Sequence, residues 1–469
     1  MLSGFMLLKD FWKGGSRSLT DGSIWKTLFA LSAPLVLGMT LRLALNITDT
    51  FFVGMLGSDA LAAISVTFPV FFIFTAVASG LSVGSTALIS QAIGAKHGKR
   101  ANNVAEHSII LAGMTGAVIA VFAFVFSPYI FTFMGVSGSI LEMTLSYTNL
   151  IFFGFIFVFV DFIAQSIINA DGNTIVPTKN LAFTVVLNAI LDPLFIFGFG
   201  PIPAMGLFGA ALATVIAFAV SIFLNISYVL RNRTSVKIDL RCFKWDLSIV
   251  RNIAAIGFPS SLSQSINSIG MILMMGMVGA FGTHAIAAFG VGMRLEALAI
   301  LPVIGLISGL IPFVGQNLGA GKPERAKRAV TIASYGAILF MFLFSLVWIF
   351  LPAFLYYPFT SDTEVISIGV QYFQIIAFGY VFLGLNFVLG SAFQGAGRTG
   401  LQLLVNFVRW VGILAASFLL LGLIGINGIW MGFPVGNLMG FIVAFAILRS
   451  GIWLKGWHKG ERPKPAQWI

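Results

Sequence analysis

Apolar residues occur in long runs along this chain, without the apolar–polar alternation of barrel strands. A helix that rises about 1.5 Å per residue needs roughly 20 residues to cross a hydrocarbon core about 30 Å thick. Within lipid every backbone polar group needs an internal partner, so runs of this kind form helices. The pattern predicts an all-α membrane protein with twelve transmembrane helices. Their predicted ranges are 26–54, 60–92, 104–131, 139–168, 174–199, 205–230, 248–280, 285–318, 326–355, 363–393, 399–424 and 427–454.

Composition supports the membrane assignment. Hydrophobic residues make up 58% of the 469 positions and charged residues only 9%, too few for the charged shell of a soluble protein this size. The net charge of +11 would suit a nucleic-acid partner, but every Lys and Arg of the loops falls on one side of the predicted spans. This distribution follows the positive-inside rule and predicts a plasma-membrane protein, not a nucleic-acid binder, with both termini in the cytoplasm. The single Cys242 excludes an intramolecular disulfide and a Cys-based metal cluster.

The chain is an internal duplication. A shift of 225 residues pairs Gly, Pro, Gln and Arg residues that apolar bias alone would not align: Pro34 with Pro259, Gln91 with Gln316, Gly94 with Gly319, Arg100 with Arg325. Each repeat holds six spans, an even number, so we expect two six-helix bundles related as parallel repeats. The predicted divisions are a cytoplasmic tail (1–25), the N-terminal bundle (26–230), a cytoplasmic linker (231–247), the C-terminal bundle (248–454) and a second tail (455–469). Such pairs of bundles transport solutes by rocking against each other.

Ionisable residues inside the spans are the candidates for function, because burying them in lipid is costly. Asn188 and Asp192 lie one turn apart in the fifth span, and Asp49 lies late in the first. We expect Asp49 and Asp192 to form one coupled ion-binding site. The repeat shift takes Asp49 to Met274, so the acidic pocket is predicted in one half only.

Other intramembrane residues suggest structural or gating roles. Arg294 and Glu296 are two positions apart and cannot share a helix face, so each is expected to contact a different span. Asp161 is interpreted in the same way. Pro34 predicts a helix kink, and both a static kink and a bend that changes during transport are open.

Enzymatic activity is not expected. The four histidines show no metal-ligand spacing, and no P-loop, dinucleotide-binding or nucleophile motif is present. Without a nucleotide site or other cofactor, transport must draw on an ion gradient or on the gradient of the substrate itself.

The motifs in spans one, five and six resemble the multidrug and toxic compound extrusion (MATE) family. They are the run Thr48-Asp49-Thr50-Phe51-Phe52-Val53-Gly54, the pattern Asn188-x3-Asp192-Pro193, and Gly209-Ala-Ala-x-Ala-Thr214. The resemblance implies a V-shaped pair of bundles that exports amphipathic, often cationic compounds in exchange for H⁺ or Na⁺. It also implies a monomer surrounded by membrane lipids.

The resemblance favours the archaeal and DinF-like branch of that family. Carried over by motif, the coupling site is Asp49, Asn188, Asp192 and Thr214, where Na⁺ could also bind. Branch members can carry a Tyr one turn before the first-span Asp, where this chain has Leu45. The NorM-like branch uses carboxylates in spans seven and ten, which this chain lacks.

Two other functions stay open. A lipid-linked saccharide flippase of the same superfamily would need a basic central cavity, and Arg42, Arg294 and Arg409 are few for that purpose. A membrane scaffold without turnover would not need carboxylates on one side only. The sequence leaves the substrate and the choice between H⁺ and Na⁺ open.

Overall fold

The computed structural model describes residues 18–239 and 243–455. Cys242, His458 and most of the two predicted cytoplasmic tails lie outside the described residues. Within those ranges the only β pairing is an isolated bridge between Phe199 and Ile202, and the chain is otherwise helical. The α-helices are α1 (Ile24–Gly54), α2 (Ser58–Gly94), α3 (Gly98–Phe133), α4 (Gly138–Phe153), α5 (Phe155–Ala170), α6 (Ile175–Phe197), α7 (Gly206–Leu230), α8 (Leu247–Gly279), α9 (Thr283–Gly319), α10 (Pro323–Phe350), α11 (Pro352–Tyr356), α12 (Thr363–Gly395), α13 (Thr399–Ile424) and α14 (Ile426–Ser450).

The predicted spans correspond closely to these helices. Eleven helices are long and apolar enough to cross a membrane, and α4 with α5 passes the same test as one span bent by 42°. The predicted span 139–168 therefore corresponds to two helices with a bend between them. The chain bends at Gly154, where an added Cβ would lie only 2.9 Å from Cγ2 of Val215, so α7 packs into the bend. The ninth span ends earlier than predicted, at Phe350, because Pro352 cannot donate the next backbone hydrogen bond and begins α11 instead.

The duplication is visible in the turns that precede α2 and α9. Gly57 and Gly282 are related by the 225-residue shift, and each occupies the position before its helix with a positive φ, 115° and 94° respectively. Residues with a Cβ rarely adopt this conformation, so glycine at these positions is required by the backbone.

The chain divides into two compact units. Unit 1 contains Leu37–Phe258, and unit 2 contains Leu19–Val36 together with the residues from Pro259 onward. The divisions fall inside α1 and α8, next to Pro34 and Pro259, rather than in the loops where the sequence analysis placed the bundle boundaries.

Each unit brings helices together at a Gly-x3-Gly pair, Gly80 with Gly84 in unit 1 and Gly305 with Gly309 in unit 2. In unit 1, a Cβ on Gly84 would lie 2.7 Å from the carbonyl oxygen of Ile253, in the first part of α8. In unit 2, a Cβ on Gly309 would lie 3.0 Å from Cβ of Leu31, in the first part of α1. The small residues at this spacing therefore serve close helix packing.

Apolar side chains fill the inside of each unit and also cover its outside. The core of unit 1 includes Phe131, Phe152 and Phe159, whereas Phe122 and Phe126 are exposed on α3. Many other large apolar side chains are exposed along the helices, which suits contact with lipid but not with water.

The linker between the halves is fastened to unit 1 by side chains that accept hydrogen bonds from its backbone. Glu106 Oε1 accepts from the N–H of Asp239 at 2.9 Å, and His107 Nε2 accepts from that of Asp246 at 2.8 Å. Asp171 Oδ1 accepts from the N–H of Ser235 at 3.1 Å.

Candidate ion-binding site

Helix α6 carries two of the predicted site residues on one face. Asn188 Nδ2 donates a hydrogen bond of 3.2 Å to Asp192 Oδ1, as expected for side chains four residues apart. Both side chains are buried, Asp192 completely. Pro193 follows at once and lacks an N–H, so it cannot bond the carbonyl of Ala189 one turn earlier.

Asp49 approaches this pair from α1. Its carboxyl group lies within electrostatic range of Asp192. One oxygen of each of the three side chains is buried and has no hydrogen-bond partner among the described residues: Asp49 Oδ1, Asn188 Oδ1 and Asp192 Oδ2. Buried polar atoms nearly always have partners, so three unsatisfied oxygens around two carboxyl groups are suited to hold a cation or a proton.

The other two predicted residues, Thr214 and Pro34, lie on α7 and within α1 respectively. Thr214 is half-buried on α7, which packs along α6, and its hydroxyl makes no hydrogen bond to the three side chains above among the described residues. Pro34 is buried within α1, which continues as a helix on both sides of it.

Tyr147 on α4 belongs to the same region, although the sequence analysis missed it. Its phenol is nearly buried and lies within electrostatic range of both Asp49 and Asp192. A useful signal was available, because Tyr147 is the only tyrosine in the predicted fourth span and a buried phenol usually has a polar neighbour.

Glu296 forms a separate centre in unit 2. Its Oε1 accepts a hydrogen bond from Tyr372 Oη on α12, and Tyr356 and Tyr380 also lie within electrostatic range of the carboxyl group. Arg294, two positions earlier, is exposed and makes no hydrogen bond or ion pair to any described residue. Glu296 therefore contacts another span, as expected, whereas no partner span for Arg294 is found among the described residues.

Asp161 is the best-bonded buried carboxylate of unit 1. Its oxygens accept hydrogen bonds from the side chains of three neighbours, Gln165 (2.7 Å), Ser221 (2.9 Å) and Asn225 (2.8 Å). Arg42 lies within electrostatic range, but its guanidinium donates to Gln165 Oε1 at 3.4 Å and not to the carboxylate.

Unit 2 repeats the geometry of the Asp49–Asp192 pair without its charges. The 225-residue shift takes Asp49 to Met274 and Asp192 to Ser417. In the structure Ser417 Oγ lies 3.8 Å from Met274 Sδ, and both side chains are fully buried. The duplication therefore brings the same two positions together in each unit, and only unit 1 has carboxylates there.

The oxygen atoms of the site are donors that suit a hard cation or a proton. No group of three or more His, Cys, Asp or Glu is present among the described residues, so a transition-metal site is not supported there. Carboxylate and amide oxygens are the ligands that hard cations prefer.

Comparisons with known proteins agree with this architecture. The MatE family model matches residues 34–194 and again 259–419, two windows offset by 225 residues at both ends. Among curated relatives, the FAD transporter of Shewanella oneidensis is 29% identical over 90% of this chain and 93% of its own length. The probable multidrug resistance protein YpnP of Bacillus subtilis is 28% identical over 92% of this chain and 97% of its own.

Solved structures show the same fold. An outward-facing multidrug resistance MATE family transporter has a TM-score of 0.86 and 27% identity, covering 93% of this chain and 98% of that one. A MOP superfamily transporter from Pyrococcus furiosus, described as having a binding pocket of reversed polarity, has a TM-score of 0.87 and 26% identity, covering 93% and 97% of the two chains. With its many apolar helices among the described residues, its two similar units and two matches to the family model, this chain belongs to the MatE family of membrane transporters.

Proposed function

We propose that this transporter exports amphipathic, often cationic compounds in exchange for H⁺ or Na⁺. The coupling ion binds between Asp49, Asn188 and Asp192, with Thr214 as a further oxygen ligand. The observation that carries the proposal is the group of three buried oxygens without partners around two carboxyl groups.

The site couples the two fluxes by competition for one charge. Two carboxylates about 6 Å apart repel each other by roughly 3 kcal/mol at an effective dielectric constant of about 20. A proton on one carboxyl group or a Na⁺ between them relieves this repulsion, and so does the cationic group of a substrate. Because one charge excludes another from the site, the ion gradient drives the substrate outward.

The acidic character of the site also bears on the substrate class. The FAD transporter among the relatives is named for an anionic substrate, whereas Asp49 and Asp192 would repel a phosphate. FAD therefore serves as the contrasting compound in the test below.

Export from proteoliposomes with imposed pH or Na⁺ gradients tests the proposal. We expect Asp49→Asn and Asp192→Asn each to abolish gradient-driven export of a lipophilic cation while the proteins stay folded. Asp59→Asn is the matched control, because Asp59 is exposed in the first turn of α2. Wild-type rates in both site variants would exclude this site. Faster export of FAD than of the cation would exclude the substrate class.

The proposal includes a monomer in the plasma membrane with both termini in the cytoplasm. The one-sided distribution of Lys and Arg supports the orientation of the termini. Single cysteines at Ser58 and Thr283, in a Cys242→Ser background, should react with an impermeant reagent in intact cells. A cysteine at Asn232 should react only after permeabilisation, and its labelling from outside would overturn the orientation. The mass of the detergent-solubilised protein tests the monomer.

A further inference from the structure

A polar face runs along α6 from the Asp49–Asp192 site to the surroundings of Asp161. Asn180, Thr184, Asn188 and Asp192 follow one another at intervals of four residues, so their side chains lie on one side of the helix. The last three are at least 97% buried, which is unusual for a row of polar groups inside a membrane. Twelve residues of helix correspond to about 18 Å.

Hydrogen bonds connect the first end of this face to Asp161. Asn180 Nδ2 donates to Asn225 Oδ1 at 2.8 Å, and Asn225 Nδ2 in turn donates to Asp161 Oδ1 at 2.8 Å. The hydroxyl of Thr184 donates to the carbonyl oxygen of Asn180 at 2.8 Å. The other end is Asn188, which donates to Asp192. The face therefore joins two buried carboxyl centres within unit 1.

The bonding of Asp161 leaves it able to take a mobile cation. Its partners Gln165, Ser221 and Asn225 are neutral, and Arg42, the charged group near it, is held off by the amide of Gln165. A direct salt bridge would balance the negative charge of a carboxylate. The carboxylate of Asp161 instead accepts hydrogen bonds from neutral side chains, each of which also carries an oxygen atom. Those oxygens suit Na⁺ or a hydrated proton.

Unit 2 lacks this route at the corresponding positions. The 225-residue shift takes Asp161 to Asn386 and Thr184 to Arg409. Arg409 is buried and its guanidinium donates to the amide oxygens of Asn267, Asn406 and Asn437. A fixed cation at this position repels a mobile one, so the polar face and the carboxylate pair occur together in unit 1 and are absent together from the described part of unit 2.

We propose that Asp161 is a second ion-binding residue of unit 1 and that the face of Asn180, Thr184 and Asn188 is the route of the coupling ion between Asp161 and the Asp49–Asp192 pair. The inference rests on the proposed antiport. If the ion is a proton, the O–H bond of one carboxyl group breaks as a water molecule gains a proton. The proton then passes through water molecules and the Thr184 hydroxyl, each of which gives up one proton as it gains another. At the end of the route a new O–H bond forms on Asp161.

The sharpest test is Thr184→Val, which keeps the shape of the side chain and removes the hydroxyl. Thr67→Val is the matched control, because Thr67 is a buried threonine of α2 whose hydroxyl also donates to a main-chain carbonyl at 2.8 Å. Asp161→Asn is the second variant. Gradient-driven export, substrate Kd and Tm are measured for each, with the pH and the Na⁺ gradient imposed separately.

The route requires Thr184→Val and Asp161→Asn to slow gradient-driven export about 10-fold with substrate Kd unchanged, while Thr67→Val stays at the wild-type rate. The Tm of Thr184→Val should match that of Thr67→Val, whereas Asp161→Asn can lose stability because its amide disturbs three hydrogen bonds. If Asp161→Asn does not fold, Thr184→Val decides. Wild-type export by Thr184→Val, with Asp49→Asn and Asp192→Asn inactive, would overturn the route and leave the proposed function intact. Active Asp49→Asn and Asp192→Asn would instead remove the proposed function.

Discussion

The two units place matching side chains in matching contacts and give them different chemistry. In unit 1 the first and fifth spans of the repeat place Asp49 within electrostatic range of Asp192, and in unit 2 they place Met274 Sδ 3.8 Å from Ser417 Oγ. The fold is thus the same at this point, while one unit carries two carboxyl groups and the other a thioether and a hydroxyl. The duplication places the same two positions in each unit, and the residues at those positions decide which unit carries carboxyl groups there.

The opposite difference also occurs, because unit 2 has an acid at a position where unit 1 has an apolar residue. Glu296 of unit 2 corresponds to Phe71 of unit 1, whose ring packs 5.5 Å from that of Phe155. In unit 2 the equivalent space holds a carboxyl group that accepts a hydrogen bond from Tyr372. Each unit therefore has an acidic centre at positions where the other carries no acid. The acid of unit 2 has a tyrosine donor, whereas the pair in unit 1 has unsatisfied oxygens among the described residues.

Introducing into unit 2 the carboxyl group that unit 1 carries at the matching position should change the stability of the protein more than any other substitution below. We expect Met274→Asp to lower the free energy of unfolding by about 3–5 kcal/mol, because the new charge is fully buried without a partner. Thermal unfolding of the detergent-purified protein measures this, with Thr283→Asp at the exposed start of α9 as the control. The reverse change, Asp49→Met, should fold and lose transport. A Met274→Asp protein as stable as wild type would show that water reaches unit 2 at this position.

Glu296→Gln tests whether the acid of unit 2 has a structural role. We expect it to lower folded yield and Tm, by about 1–3 kcal/mol in stability, more than it lowers transport per folded molecule, because the amide disturbs the bond from Tyr372. Glu364→Gln, at an exposed position in the first turn of α12, is the control. A fully folded Glu296→Gln protein without transport would place Glu296 in the coupling machinery and weaken the contrast between the units.

Arg409→Lys examines the cation that replaces Thr184 in unit 2. The planar guanidinium of Arg409 donates to three separate amide oxygens, and the ammonium group of a lysine cannot reproduce that arrangement of donors. We therefore expect the free energy of unfolding to fall by about 1–2 kcal/mol. Arg449→Lys at the exposed end of α14 should leave Tm unchanged. Equal Tm for both variants would mean that only the charge at position 409 matters.

The smallest expected effect concerns the linker, which is attached to unit 1. Glu106 accepts a backbone hydrogen bond from Asp239, whereas its counterpart in unit 2, Thr331, is exposed and its hydroxyl donates to the carbonyl of Lys327 in its own helix. We expect Glu106→Ala to cost about 1 kcal/mol and to speed proteolysis of the linker, and Thr331→Ala to do neither. Unchanged cleavage in Glu106→Ala would show that the other bonds of the linker suffice.

The sequence by itself predicted the apolar helices, the duplication and the Asn188–Asp192 half of the candidate site. Long apolar runs leave helices as the only solution in lipid, and an exact shift of Gly, Pro and Gln identifies the repeat without any coordinates. Asn188 and Asp192 could be paired from spacing alone, because side chains four residues apart share a helix face whatever surrounds the helix.

Contacts between distant segments were decided only by the tertiary structure. Tyr147 reaches the carboxyl pair from α4, and Tyr372 reaches Glu296 from another helix, since neither contact follows from a local period. The bend at Gly154 depends on Val215 of α7, and the divisions within α1 and α8 depend on which neighbours their first turns meet. Helical periodicity states which residues share a face, but the partner of that face is set by packing among all the helices, which a one-dimensional pattern does not contain.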